Sequence, residues 1–203
     1  MSAYPLVLEG SSIVALVIGG GSVATRKVKA LVDSGARVHI VAPRITAELE
    51  LLAQGDELVN VTHNTYDAKY LAAATLVIAA TDDSTLNATI ARDARAQSKL
   101  VNVVDAPELG SCVTPAVFRN GEIVVAVSTG RVPNAAVRIR DAITAKLDVR
   151  YVDAVRELAS LRRRLLANGN RDRWADAARS LIDDDFCAQV EAGALTDRIG
   201  EWR

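Results

Sequence analysis

Residues 13–18 form a continuous apolar run, Ile-Val-Ala-Leu-Val-Ile, that leads directly into three consecutive glycines, Gly19 to Gly21. An apolar, β-rich segment of this length is typical of a strand that is buried on both faces of a parallel sheet. Residues 23–32 follow with apolar side chains at helical spacing and basic side chains between them. A buried strand, a glycine loop and a helix in this order predict the first unit of a dinucleotide-binding fold.

The same alternation of strands and helices continues up to residue 104. Further strands are predicted at residues 37–42, 59–63, 75–80 and 100–104, and helices at 45–53 and 83–98. Strands that alternate with helices form a parallel, doubly wound sheet. We therefore expect an α/β protein in which residues 1–112 are a Rossmann-type, NAD-binding domain.

A different pattern begins after Asp105. Residues 113–118 and 123–128 are β-rich and are joined through Asn120-Gly121, which is a strong signal for a β-hairpin. We expect this hairpin to be appended to the parallel sheet, and because an open sheet edge is commonly covered by a second copy of the chain, residues 113–148 are expected to be the dimerisation segment of a homodimer. Helical spacing runs from Pro133 almost to the end with a break at residues 168–170, so residues 149–203 are expected to be a small helical domain.

Composition and charge exclude several classes of protein. The formal net charge of −1 gives no sign of nucleic-acid binding, and no apolar run approaches the roughly 18 residues of a membrane span. The N-terminus lacks the basic region and apolar core of a leader peptide, which predicts a cytoplasmic location. Cys112 and Cys187 lie far apart with neither a CxxC pair nor a nearby histidine, so neither a metal site nor a disulfide is expected.

The helical region is polarised in charge. Residues 150–182 contain eight arginines and four acids, whereas residues 183–203 contain six acids and two arginines. The basic stretch could face an anionic ligand, or both stretches could be solvated helix faces with ion pairs within each helix. The sequence leaves both interpretations open.

The glycine loop matches the dinucleotide pattern GxGxxA at Gly19, Gly21 and Ala24. The first glycine permits the tight turn, the second lets a pyrophosphate approach the backbone, and the small third residue allows the helix to pack closely on the strand. The amides at the start of the helix, with its positive end, then bind the phosphates.

The acidic residue that usually binds the adenosine ribose is missing at the end of the second strand. This strand end reads Val41-Ala42-Pro43-Arg44, and Arg44 could suit a 2′-phosphate instead. The residues alone therefore leave both NAD and NADP open.

Four motifs along the chain resemble one known family. They are Val17-Ile-Gly-Gly-Gly-Ser-Val-Ala-Thr-Arg-Lys27, Ala79-Ala-Thr-Asp-Asp83 with Asn87, Asn102-Val-Val-Asp-Ala-Pro107, and Ala126-Val-Ser128. In this order, over residues 5–140, they resemble the precorrin-2 dehydrogenase/sirohydrochlorin ferrochelatase module of sirohaem synthases.

The resemblance implies NAD-dependent oxidation of precorrin-2, a tetrapyrrole, to sirohydrochlorin. In bifunctional members it also implies insertion of ferrous iron, and it implies a homodimer with a Rossmann domain, a central dimerisation segment and a helical C-terminal domain. Positions that match NAD contacts are Ser22, Val23, Pro43 and Arg44, and Thr81 and Asp82 should border the cofactor crevice. Since the family pairs this acid-free strand end with NAD, NAD is the expected cofactor.

Asp105 matches the catalytic aspartate of the family. The residues agree, because Asp105 ends a buried strand at the edge where ligands of such sheets bind, and a carboxylate base suits the loss of a proton that accompanies hydride removal. The alternative is an aspartate that only caps its loop. The same carboxylate could take pyrrole protons during iron insertion, for which no protein metal cage is expected, and neither His39 nor His63 is expected to be catalytic.

The chain departs from the family after Ser128. Members commonly have a Ser-Gly-Gly-Thr-Ser-Pro type loop, whereas this chain has the shorter Thr129-Gly130-Arg131-Val132-Pro133, in which Thr129 replaces a serine that is phosphorylated in some relatives. No methyltransferase domain follows, so a short, free-standing form is expected. Two alternatives stay open, a dehydrogenase without chelatase activity and a non-catalytic module that senses NAD.

Overall fold

The computed structural model describes residues 3–130 and 132–202, and Arg131 therefore lies outside the described residues. The chain divides into two compact units, Met1–Thr114 and Pro115–Arg203. The predicted three-part division at 1–112, 113–148 and 149–203 stays a prediction. No helix in the described ranges is both long enough and apolar enough to cross a membrane.

The first unit is built on a five-stranded parallel sheet. Its strands are β1 (Val14–Ile18), β2 (Arg37–Val41), β3 (Val59–Thr62), β4 (Leu76–Ala79) and β5 (Leu100–Val103). They lie in the order β3-β2-β1-β4-β5, and every neighbouring pair is parallel. The sheet is thus the predicted Rossmann type, in which the strand order reverses between β1 and β4.

Helices cover both faces of this sheet, which explains why β1 is apolar throughout. They are α1 (Ser22–Val32), α2 (Ala47–Gly55) and α3 (Ser84–Ala96), with short 3-10 turns at Gly10–Ser12 and Ala68–Leu71. Val17 packs in a buried cluster with Val28 of α1 and Leu49 of α2, whereas its neighbour Leu16 packs in a second cluster with Ile90 of α3. Successive β1 side chains point to opposite faces, so both must be apolar.

The second unit contains a hairpin and five helices. Strand β6 (Ala116–Asn120) pairs antiparallel with β7 (Ile123–Val127), and α4 (Pro133–Thr144) follows. The remaining helices are α5 (Val149–Ala167), α6 (Arg171–Leu181), α7 (Phe186–Ala192) and α8 (Leu195–Gly200). They enclose a core that includes Leu161, Leu181 and Ile199. The predicted helix break is confirmed at Gly169, whose φ is +74°.

The hairpin differs from its prediction in two respects. Its first strand begins at Ala116 rather than at Val113, because the preceding segment runs beside β5, where the amides of Ser111 and Cys112 donate to the carbonyl of Val101. It also forms a sheet of its own and is not appended to the parallel sheet. The turn consists of Gly121 and Glu122, and Gly121 has the positive φ of +57° that a two-residue hairpin turn requires.

Candidate functional site

All the predicted site residues lie at the carboxyl edge of the parallel sheet. The loop after β1 carries Gly19 to Ala24, the loop after β2 carries Pro43 and Arg44, and residues beyond β4 and β5 are Thr81, Asp82 and Asp105. Because β4 lies between β1 and β5, the ends of these three strands are adjacent, with about 5 Å between neighbours. The structure therefore brings the glycine loop and Asp105 to the same edge, on either side of Thr81.

The three glycines of the loop have different surroundings. Gly19 has a φ of +120°, and a Cβ atom there would lie 2.1 Å from the carbonyl oxygen of Ala80. A Cβ atom on Gly20 would lie 2.1 Å from the carbonyl oxygen of Arg44. At Gly21 the backbone is extended and no atom lies within 4 Å of the Cβ position. Gly19 and Gly20 are therefore needed by the fold, whereas Gly21 faces open space where a ligand can approach.

Hydrogen bonds hold the backbone of the glycine loop at three consecutive residues. The amide of Gly19 donates to the carbonyl of Val41 at 3.1 Å, and the carbonyl of Gly20 accepts from the amide of Thr46 at 3.0 Å. The carbonyl of Gly21 accepts from both the amide and the hydroxyl of Thr25, each at 3.0 Å. The loop is thus fixed in one conformation by contacts with β2, α1 and the start of α2.

The start of α1 is suited to binding phosphate. Gly21 is the N-cap residue and supplies no side-chain cap, so the first-turn amides keep their capacity to donate to a ligand. Ala24 is fully buried against the sheet, while Ser22 and Val23 are exposed beside the loop. An open Gly21, a fixed backbone and uncapped amides fit the pyrophosphate of a dinucleotide.

The loop after β2 contributes backbone to this site. Pro43 and Arg44 are both exposed, and the carbonyl of Arg44 packs against Gly20. The following helix α2 is capped by Thr46 and carries Glu48 and Glu50 in its first turn. Glu48 forms an ion pair with Lys29 of α1. The acids nearest to this strand end in the sequence are therefore on α2 and not on the strand itself.

Asp105 is joined to the end of β4 through the side chain of Asn87. The amide nitrogen of Asn87 donates to Oδ1 of Asp105 and to the carbonyl of Thr81, both at 3.0 Å. The amide oxygen accepts from the backbone N–H of Thr81 at 3.2 Å and lies 2.8 Å from the Thr81 hydroxyl. Asn87 is fully buried, whereas Asp105 is exposed. An accessible carboxylate is thus held in place by a buried amide.

The two acids that precede α3 have different surroundings. Asp83 caps the helix, because its carboxylate accepts from the amides of Thr85 and Leu86 at 2.9 and 3.0 Å. Asp82 is exposed at the same edge of the sheet. Asp82 is therefore the more accessible of these two carboxylates to a ligand at the edge.

Two basic side chains of this unit have surroundings that shift their ionisation. Burial lowers the pKa of Lys27, helped by the nearby charge of Arg26, and its ammonium donates to the hydroxyl of Thr114. Burial also lowers the pKa of His39, whose ring lies 2.8 Å from the Thr62 hydroxyl and packs edge-on against Tyr70. His39 lies within β2, and its contacts are those of a structural side chain.

Four residues of the site had no role assigned to them from the sequence, although Gly20, Thr25 and Asn87 belong to the motifs that resemble the family. Gly20, Thr25 and Thr46 hold the loop, and Asn87 holds Asp105. Thr46 had a visible signal, because a threonine just before a helix with acids in its first turn is typical of an N-cap. The part played by Asn87 depends on a contact with a residue far away in the sequence, for which local patterns give no signal.

Comparison with known proteins gives one match to a family model and many to individual proteins. The NAD(P)-binding family model matches residues 6–116, which is more than half of the chain.

The described residues contain no cluster of three or more histidine, cysteine or acidic side chains that could hold a metal ion.

Curated proteins named siroheme synthase are similar to this chain. That of Pseudomonas paraeruginosa is 42% identical over 201 residues, covering 98% of this chain and 41% of its own length. Those of Ectopseudomonas mendocina and Saccharophagus degradans are 43% and 33% identical, covering 77% and 96% of this chain and 32% and 43% of their own lengths. The chain thus spans less than half the length of these relatives.

A solved structure is similar over the whole chain. It is described as SirC, a precorrin-2 dehydrogenase, and it superimposes with a TM-score of 0.79 at 25% sequence identity. The match covers 98% of both chains. Both the Rossmann sheet and the helical second unit therefore have counterparts in that protein.

Proposed function

The chain belongs to the NAD(P)-binding family of precorrin-2 dehydrogenases, and on this premise we propose that it oxidises precorrin-2 to sirohydrochlorin with NAD as its cofactor. When bound, NAD accepts a hydride from the reduced macrocycle. The arrangement that carries the proposal is the position of the glycine loop and Asp105 at the carboxyl ends of β1 and β5, the two strands that flank β4 in one sheet.

The residues that would hold NAD are those of the loop and the adjoining strand ends. The small residues Gly19, Gly21 and Ala24 would let the pyrophosphate approach the backbone amides of Ser22 and Val23, which lie in the first turn of α1. Pro43 and Arg44 would border the adenosine ribose, and Thr81 and Asp82 the other side of the crevice. The family that the chain resembles pairs this acid-free strand end with NAD, so NAD and not NADP is the cofactor that we propose.

Asp105 is the residue that we assign to proton transfer. Removal of a hydride from the macrocycle is accompanied by loss of a proton, and a positioned carboxylate can accept it. Asp105 is exposed at the sheet edge, and its bond from Asn87 engages only Oδ1. The Oδ2 atom is thus the one that would accept the proton.

The test is anaerobic incubation of the purified protein with precorrin-2 and NAD. A dehydrogenase forms NADH and sirohydrochlorin in equal amounts. A module that only senses NAD would bind the nucleotide and form neither product, and that outcome would overturn the proposal.

We infer a second step, the insertion of ferrous iron into sirohydrochlorin, from the same carboxylate. Iron enters the macrocycle as the two pyrrole N–H groups lose their protons, and the macrocycle nitrogens become its ligands. An exposed Asp105 could accept one of these protons in turn. Supplying sirohydrochlorin and ferrous iron without NAD distinguishes this enzyme from one with dehydrogenase activity alone, which would leave sirohydrochlorin unchanged.

We further propose that the chain works as a homodimer through residues 113–148. The support is the two-stranded hairpin, together with the side chains of Ile139 and Ile143 on α4, which are 45% and 50% exposed and lie one helical turn apart. Exposed apolar side chains of this kind are typical of a surface that another chain covers.

A further inference from the structure

Asn87 is a fully buried side chain whose four hydrogen-bonding positions all have partners. Its nitrogen faces the Thr81 carbonyl and Oδ1 of Asp105, and its oxygen faces the Thr81 amide and hydroxyl. A primary amide has two donors and two acceptor sites, so its capacity is completely used. Rotation of this side chain would therefore break existing hydrogen bonds, and no unused donor or acceptor of the amide could replace them.

The backbone of Thr81 fixes which end of the amide faces Asp105. The Thr81 N–H can only donate, so it requires the oxygen of Asn87, and the Thr81 carbonyl can only accept, so it requires the nitrogen. If the amide were reversed, its oxygen would face a carbonyl and a carboxylate, and its nitrogen would face an N–H group. The orientation thus follows from the main chain and does not depend on the ionisation of Asp105.

This orientation makes the two oxygens of Asp105 unequal. Oδ1 faces an N–H donor at 3.0 Å and acts as an acceptor there, so one of its two lone pairs is already occupied. A proton is therefore accommodated more readily on Oδ2, which does not have to keep a hydrogen bond from Asn87.

We propose that Asn87 is a positioning residue that, by engaging Oδ1 of Asp105, directs the Oδ2 atom toward the substrate as the proton acceptor. The inference rests on the proposed function, in which Asp105 is the base. Through Thr81, Asn87 also ties the position of that base to the strand end next to the glycine loop. The base and the cofactor-binding loop are thus held relative to each other by one amide.

The decisive variants are Asn87→Ala and Asn87→Asp. Loss of a hydrogen bond to a charged group should lower kcat by about ten- to a hundredfold in Asn87→Ala, with the KM for NAD changed by less than about twofold. Asn87→Asp keeps the size of the side chain but replaces its two N–H donors by carboxylate oxygens, so kcat should fall in this variant as well. Asn60→Asp on β3 is the matched control, since it makes the same change on an exposed residue at the opposite edge of the sheet.

A second measurement does not depend on turnover. In protein labelled at the aspartate carboxyl carbons, the chemical shift of the Asp105 signal, assigned by its loss in Asp105→Asn, should change in Asn87→Ala and keep its parental value in Asn60→Asp. An unchanged Asp105 chemical shift or a parental kcat in folded Asn87→Ala protein overturns the inference. A parent protein that forms no NADH from precorrin-2 overturns the proposed function instead, so the two failures are distinguishable.

Discussion

The hydroxyl oxygens of Thr25 and Thr46 lie 2.9 Å apart and connect the first turns of α1 and α2. The direction of the bond follows from its neighbours. Because the Thr25 hydroxyl donates to the carbonyl of Gly21, the hydrogen between the two threonines must come from Thr46, whose oxygen in turn accepts from the amide of Leu49 at 3.3 Å. Three hydrogen bonds in series thus link the first turn of α2 to Gly21, the residue that faces open space at the candidate site.

Removal of either hydroxyl should weaken this link. Thr46→Val loses both the helix cap and the bond to Thr25, so the free energy of unfolding should fall by about 1–2 kcal/mol. Thr25→Val should lose about 1 kcal/mol. In the double variant the two losses should be less than additive, because both single changes break the same bond. Denaturant unfolding of the four proteins measures this coupling, and strictly additive losses would contradict it.

The open position of Gly21 predicts that binding and stability can be separated. Gly21→Leu should fold with an unchanged melting temperature but lose NAD affinity by about tenfold or more, because the side chain would fill the space needed for the pyrophosphate. Gly55→Leu is the matched control, since Gly55 also has no atom within 4 Å of its Cβ position and ends α2. Unchanged NAD affinity in folded Gly21→Leu would remove the loop from the site.

Gly20→Ala should instead lower the stability of the fold and not act mainly on NAD affinity. Its methyl group would lie against the carbonyl of Arg44, so stability should fall by about 1–3 kcal/mol. Thermal melts with and without NAD distinguish the two glycine variants.

In Asp105→Ala, the rate of NADH formation from precorrin-2 should fall by about a hundredfold or more, while the affinity for NAD stays unchanged. Binding and chemistry should separate, because in the proposed complex the glycine loop, and not Asp105, would hold the phosphates. Glu108→Ala, which removes an exposed acid from the same loop, should keep the parental rate. If folded Asp105→Ala forms NADH at the parental rate, Asp105 is not the base, and Asp82 becomes the next carboxylate to test.

His39 should make the fold sensitive to acid. Since burial lowers its pKa in the folded protein below the ordinary value of 6.5, the unfolded chain binds a proton first as the pH falls. His39 therefore does not change the free energy of unfolding above pH 6.5, and this free energy decreases as the pH falls from 6.5 toward the lowered pKa of His39. The drop in melting temperature between about pH 7.5 and about pH 5.5 should be smaller in His39→Gln than in the parent, whereas the exposed His63→Gln should behave like the parent.

The proposed dimer predicts that α4 carries an essential part of the interface. Ile139→Asp should convert the protein to a monomer at micromolar concentration, because burying an unpaired carboxylate is costly. Leu51→Asp is the control, as Leu51 is 69% exposed on α2 in the first unit. Light scattering that finds a monomer for the parent protein would contradict the dimer proposal itself.

The sequence was sufficient for the Rossmann sheet because its signals are local. The apolar run of β1, the three glycines and the hairpin turn at Gly121 each depend on neighbours in the chain. The start of β6 could not be predicted, because what sets it is the bonding of Ser111 and Cys112 to Val101. The same holds for Asn87 and for the pair Thr25 and Thr46, whose partners come from other elements. Local patterns thus predicted the candidate site, while the contacts that fix its geometry were visible only in the folded chain.

The segment that follows β5 has a further consequence for how this protein resists aggregation. A strand at the margin of a sheet exposes N–H and C=O groups that can recruit a strand from another molecule. Here the N–H of Val101 donates to the hydroxyl of Ser111 at 2.9 Å, and its carbonyl accepts from the amides of Ser111 and Cys112. The chain therefore satisfies the outward-facing N–H and C=O groups of Val101 with its own next residues, and an incoming strand would first have to displace these residues.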